Sequence, residues 1–181
     1  MQRITHIYFA LFLFAIVWVI FDIGLETSIF VAFGAIFPDF DIVKLHRRLL
    51  HNIWALLAVS IAISLFFIKP DPLIGISWGL AFLLGGLSHL LMDSLTKWGI
   101  QPMWPLYKDK WLHLFKDKDK WLTTGGKTER VIAMIILFFG LFLFYLKMLN
   151  FDLPITIFVT LITVAVLFEG EKYLPKVYRE D

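Results

Sequence analysis

Long apolar runs decide what this chain can fold into. They occupy residues 4–21, 53–68, 73–92, 131–149 and 153–168. Most approach or exceed the roughly 17–20 residues that a helix needs to cross a ~30 Å hydrocarbon layer. A sixth run, 27–37, is too short to span unaided. A soluble domain would carry about 25% charged residues, whereas here 18% are charged and 59% are hydrophobic. The expected fold is therefore all-α: a polytopic membrane helical bundle with about six transmembrane segments, the 27–37 segment being short or re-entrant. The whole of 1–181 reads as a single integral membrane domain. No small-x-small cleavage site follows the first run, so it is expected to stay as a membrane helix rather than act as a cleaved signal. With no cysteine in the chain, disulfide and thiolate chemistry are excluded.

The distribution of charge gives an orientation. If the 27–37 segment returns the chain to its starting side, one membrane face holds the N-terminus, the loop around 38–50, the loop 96–130 and the C-terminal tail. All of the 17 Lys and Arg residues except Lys69 and Lys147 then lie on that face. Asp22, Glu26, Asp71 and Asp152 lie on the other. The positive-inside tendency makes the basic face cytoplasmic and both termini with it, in a multi-pass plasma (inner) membrane protein.

The loop 96–130 interleaves Lys and Asp with Trp111, Leu112, Leu114 and Phe115. It reads as a cytoplasmic interfacial helix or turn that sets aromatics against lipid headgroups. Asp109, Asp117 and Asp119 offset much of its lysine charge, so membrane lipids are the expected partner and nucleic acid is not. Gly-rich phosphate loops, GxSxG and cofactor fingerprints are all missing from the sequence.

Ionisable residues collect at four helix boundaries. These are His6 at the start of the first run; Asp39, Asp41, His46 and His51 between the short run and the next; His89 and Asp93; and Glu129 with Arg130. On the topology above they all meet near the cytoplasmic interface. His89 and Asp93 are four apart, so they share one helical face. Such groups on a membrane helix are costly unless they have partners or a task. Imidazole and carboxylate together suit Zn²⁺, Mn²⁺ or Fe²⁺, and the number of donors is enough for one or two ions, with an aspartate as bridge. Arg47, Arg48 and Arg130 suit a phosphate. Against this, Asp39 and Asp41 after Pro38 also fit a turn and cap, and Glu129 fits an ordinary helix start. His113 in the Lys/Trp loop reads as a surface residue rather than a ligand.

An ordered series of these residues resembles the YdjM-like inner-membrane metal-dependent hydrolases. Pro38-Asp39-Phe40-Asp41 leads to His46-Arg47 and His51. Gly86-Leu87-Ser88-His89 with Asp93 follows, then Thr96, Gly99, Trp104-Pro105, and Gly126 before Glu129-Arg130. His6 also fits. The resemblance covers about 3–135; it departs from the family pattern at Leu50-His51-Asn52 and at Arg48. More distantly, the spacing is similar to zinc-dependent phospholipase C and P1-type nucleases, helical enzymes that cleave phosphoesters.

The resemblance implies a metal-dependent hydrolase acting on a phosphoester, lipid or lipid-linked substrate. The metal set would be His6, Asp39, Asp41, His46, His51, His89 and Asp93, binding one or two divalent ions, with zinc first and Mn or Fe next. Asp41 or Glu129 would take a proton, and Arg47 or Arg130 would hold the phosphate. Two other classes use the same residues: a divalent-cation or proton transporter, which needs ionisable groups deeper in the helices, and a scaffold with a closed structural metal.

Overall fold

The computed structural model describes residues 1–21, 23–40, 49–69, 71–107, 111–115 and 122–149. Within them lie five α-helices: α1 Arg3–Phe21, α2 Thr27–Ile36, α3 Ile53–Phe66, α4 Pro72–Ser94 and α5 Lys127–Met148. A short 3-10 turn, Phe37–Phe40, continues α2. Among the described residues strand pairing is limited to two isolated bridges, Thr96 with Leu122 and Ile100 with Leu112. The all-helical expectation holds.

Three helices, α1, α4 and α5, are long and apolar enough to cross a membrane. The other two are shorter than the six-segment expectation requires. The 53–68 run yields a helix of 14 residues, about 21 Å at 1.5 Å per residue. Local chemistry sets its start: the Asn52 side chain accepts the Ala55 backbone N–H at 2.8 Å, a standard N-cap. The 27–37 run yields ten helical residues, again short of the hydrocarbon thickness. The final run, 153–168, lies outside the described residues. Helix α4 begins where Asp71 caps Leu73 N at 2.8 Å and Pro72 occupies the first turn.

Helix α4 is the centre of the bundle. It packs on α2, α3 and α1, while α5 packs on α1. Its contact with α2 is made through backbone. A Cβ added at Gly34 would collide with the Phe82 carbonyl, and one at Gly85 with the Val31 carbonyl. Only glycine permits that approach. One apolar cluster, Ala10, Phe14, Trp18, Val31, Ala35 and Ala81, joins α1, α2 and α4; a second, Leu56, Phe82, Leu90 and Ile100, joins α3 and α4 to the following loop. Helix α5 instead turns Val131, Met134, Ile135, Phe138, Phe139 and Phe142 outward, an apolar face suited to lipid.

The chain after α4 folds back on that helix's end. Leu114 N donates to Ser94 O and Leu122 N to Leu95 O, both at 2.9 Å, and Ile53 N donates to Pro102 O at 2.9 Å. The first two bonds satisfy carbonyls at the end of α4, and the third satisfies the first N–H of α3, groups that a helix terminus otherwise leaves open. They also fix the depth of Asp93. The described part of 96–126 has turns and bridges in place of the helix that was one expectation for it, with Trp98, Leu106, Tyr107, Trp111 and Leu114 exposed.

Candidate metal centre

Five side chains from four segments converge where α1 begins, α2 ends and α4 ends. His6 comes from α1, Asp39 from the 3-10 turn, His51 from the residue before the Asn52 cap, and His89 and Asp93 from successive turns of α4. Asp93 is the hub. Its Oδ1 lies 3.3 Å from His6 Nε2, and its Oδ2 lies 3.6 Å from His51 Nε2 and 3.7 Å from His89 Nε2. His89 Nε2 is also 3.3 Å from His51 Nε2 and 3.8 Å from Asp39 Oδ1. The rings of His6 and His89 stack at 3.8 Å. The amino group of Met1 pairs with Asp93 Oδ1 at 2.9 Å.

Each position has a local cause. Helix α1 is pinned at its first turn by Glu129, whose Oε1 accepts Gln2 N at 2.7 Å and the Thr5 hydroxyl at 2.9 Å. Its Oε2 accepts Gly125 N at 2.6 Å. His89 is oriented from α2: its Nδ1 lies 2.7 Å from the Ala35 carbonyl. A carbonyl only accepts, so Nδ1 carries the proton and the Nε2 lone pair points into the cluster. A histidine held in this way through its second nitrogen is the usual arrangement behind a metal ligand.

The donor set fits a divalent ion. Two groups, His6–His89–Asp93 and Asp39–His51–His89, each bring three ligand atoms within 4.8 Å of one another. A tetrahedral ion with bonds of about 2.1 Å separates its donors by about 3.4 Å, which the 3.3–3.8 Å spacings between these atoms approach. Among the described residues the buried His6 Nδ1 has no polar partner, His6 Nε2 has only its 3.3 Å ion-pair contact with Asp93, and the buried Asp39 Oδ2 has only its 3.5 Å contact with Arg3 Nε. Buried polar atoms are seldom left so. A cation in the cluster would give one His6 nitrogen a partner, since each residue offers one ligand atom to a three-donor group.

Of the residues expected to form the site, His6, Asp39, His51, His89 and Asp93 come together. Asp41, His46, Arg47 and Arg48 lie outside the described residues. Glu129 is buried but belongs to neither three-donor group; its carboxylate serves the α1 clamp. The Arg130 guanidinium is exposed and directed at the Gly125 carbonyl, 3.3 Å from Nη2. His113 is half-buried, with Nδ1 3.3 Å from Thr96 O, and belongs to neither group. Sequence reasoning missed two contributors, Ala35 through its carbonyl and Arg3. Arg3 carried a legible signal, being three residues before His6 and so on the same helical face.

The sequence pattern of the YdjM inner membrane protein family matches residues 1–153. The chain belongs to that family. The YdjM match contains all five cluster residues and runs past the end of α5, further than the 3–135 covered by the motifs. With three helices able to span, it makes this chain a membrane protein. Curated proteins give no match, and neither do solved structures.

Proposed function

We propose that this YdjM-family chain is a metal-dependent hydrolase of phosphoesters, with lipid or lipid-linked esters as the substrate class. The observation that carries the reading is the pair of three-donor groups, His6–His89–Asp93 and Asp39–His51–His89, that share His89. His6, Asp39, His51, His89 and Asp93 would hold the ion, zinc first by donor type. A bound ion of this kind supplies an activated water and a Lewis acid for the phosphoryl oxygen.

The residues themselves divide the work. His89 offers one nitrogen to the cluster, because the other donates to Ala35 O. Were two ions to bind, His89 would serve only one of them, and Asp93, with an oxygen toward His6 and the other toward His51 and His89, would be the residue able to hold both. Asp39 is the most exposed of the five. Its partial exposure makes it the best-placed described carboxylate of the cluster to receive a proton from an incoming nucleophile. The one-sided location argues against a path for ions across the membrane. In the topology we favour there are six segments, with the cluster and both termini at the cytoplasmic face, on the distribution of Lys and Arg.

Elemental analysis of the detergent-purified protein, wild type beside His89→Ala and Asp93→Asn, tests the reading. At least one equivalent of Zn, Mn or Fe in wild type, lost in both variants, is expected, together with metal-dependent cleavage of a chromogenic phosphodiester. Failure to bind any of these ions after reconstitution would refute it. Stoichiometric metal with no cleavage of any phosphoester would leave a structural metal.

A further inference from the structure

The five cluster residues are not equally enclosed. His6, His51, His89 and Asp93 are almost fully buried, whereas the Asp39 side chain keeps 17% of its surface and Arg3 beside it keeps 68%. Among the described residues, the cluster therefore opens on the side of Asp39 and Arg3. Arg3 lies one turn outside His6 on the same face of α1. Its Nε is 3.5 Å from Asp39 Oδ2, an ion pair too long for a strong hydrogen bond. Among the described residues Asp39 is the acidic group that pairs with the Arg3 guanidinium.

We propose that Arg3 holds the anionic group of the substrate, a phosphate oxyanion, at the mouth of the cluster. This rests on the metal-dependent reading above. Guanidinium grips such a group through two parallel N–H donors, and the Arg3 side chain, with 68% of its surface exposed, can present them to an incoming anion. The placement of Arg3 is fixed from both sides. Glu129 holds Gln2 N and the Thr5 hydroxyl on either side of it in the first turn of α1, and the Arg3 Nε faces the Asp39 carboxylate at ion-pair distance. A basic residue present only to set topology has no need of an orientation toward an aspartate of the donor set. Arg47 and Arg130 had been the expected phosphate residues; Arg130 faces the Gly125 carbonyl instead.

The test uses the full chain in detergent, loaded with zinc and assayed for metal content before any anion is added. Calorimetric titration then measures binding of inorganic phosphate and of short-chain phosphatidic acid to wild type, Arg3→Gln and Arg3→Lys. With metal content unchanged, Arg3→Gln is expected to weaken both ligands by about 10- to 100-fold, the loss of a charged hydrogen-bond pair. Arg3→Lys, which keeps the charge without the fork, should fall between. Tighter binding of the lipid than of phosphate identifies a membrane source for the anion, and equal binding a soluble one. Arg3→Gln binding phosphate as wild type does, at equal metal content, overturns the proposal, as does a loaded wild type that binds neither anion. Wild type that takes up no metal is recognised at the first step; it overturns the metal reading, and the Arg3 proposal falls with it.

Discussion

Gly34→Ala is a substitution that touches no cluster residue and should nevertheless damage the cluster. A methyl group at Gly34 would overlap the Phe82 carbonyl, with Phe82 C at 2.9 Å and Gly86 N at 3.0 Å. Relieving that overlap needs α2 to retreat from α4 by on the order of 1 Å to restore normal contact distances. Ala35, the next residue, moves with it. Its carbonyl now sits 2.7 Å from His89 Nδ1; after the retreat the separation is about 3.7 Å, beyond hydrogen-bond range. Loss of an orienting partner of this kind weakens metal affinity by about 10- to 100-fold. Overpacking adds about 1–3 kcal/mol of destabilisation, partly offset by the ~1 kcal/mol that alanine gains over glycine in a helix. Competition with a chromogenic zinc chelator reads the affinity, and thermal unfolding in the same detergent reads the stability. Gly140→Ala is the control. Its added Cβ meets Phe12 at an ordinary 3.5 Å, so affinity should be unchanged and stability equal or slightly higher. Zinc affinity of Gly34→Ala within about 3-fold of wild type would show that the Ala35 contact does not orient His89 for metal.

Asn52→Ala removes the cap of α3 and should lower stability by about 1 kcal/mol, seen as a lower unfolding midpoint, with weaker zinc binding because His51 is the neighbouring residue. Glu129→Gln keeps the shape of the clamp but presents an amide nitrogen to donors at one of its two ends. That should cost about 1–3 kcal/mol and, by releasing the first turn of α1, reduce metal content. Gly99 has φ of +59° and the His113 ring against its α-carbon, so Gly99→Ala is strained on both counts by about 1–3 kcal/mol. Its expected signature is faster protease nicking between α4 and α5, with metal content preserved.

Much of the bundle could be read from the chain. The apolar runs mark α1, α4 and α5 within a few residues, because hydrophobicity over a membrane thickness is a property of consecutive residues. The pairing of His89 with Asp93 follows from helical spacing alone, and the convergence of His6, Asp39 and His51 on them from topology. The lengths of α2 and α3 follow their apolar runs just as closely, and both helices stay short of a membrane span. The Asn52 cap stands immediately before the 53–68 run, and the turn at Phe37–Phe40 begins where the 27–37 run ends. Glu129 shows a different limit. Its charge and its place before a helix suit a base or a helix start equally, and only the positions of Gln2, Thr5 and Gly125 around it reveal a clamp. The role of Ala35 has no side-chain signature, since a carbonyl oxygen is common to every residue. What brings it to His89 is the glycine-mediated approach of two backbones distant in sequence.

The order of the donors along the chain bears on how the protein comes to be made. His6 enters the membrane with the first helix, whereas Asp93 arrives only at the end of the fourth. A nascent chain therefore carries isolated ionisable groups in apolar surroundings until the later helices dock, a state that favours early pairing with whatever is near. An ion that binds only the converged set adds its binding free energy to helix association and to no earlier intermediate. Under the metal-dependent reading, ion capture is thus the closing event of biogenesis. A cell starved of that ion would accumulate a loosened, protease-prone chain rather than a folded but idle one.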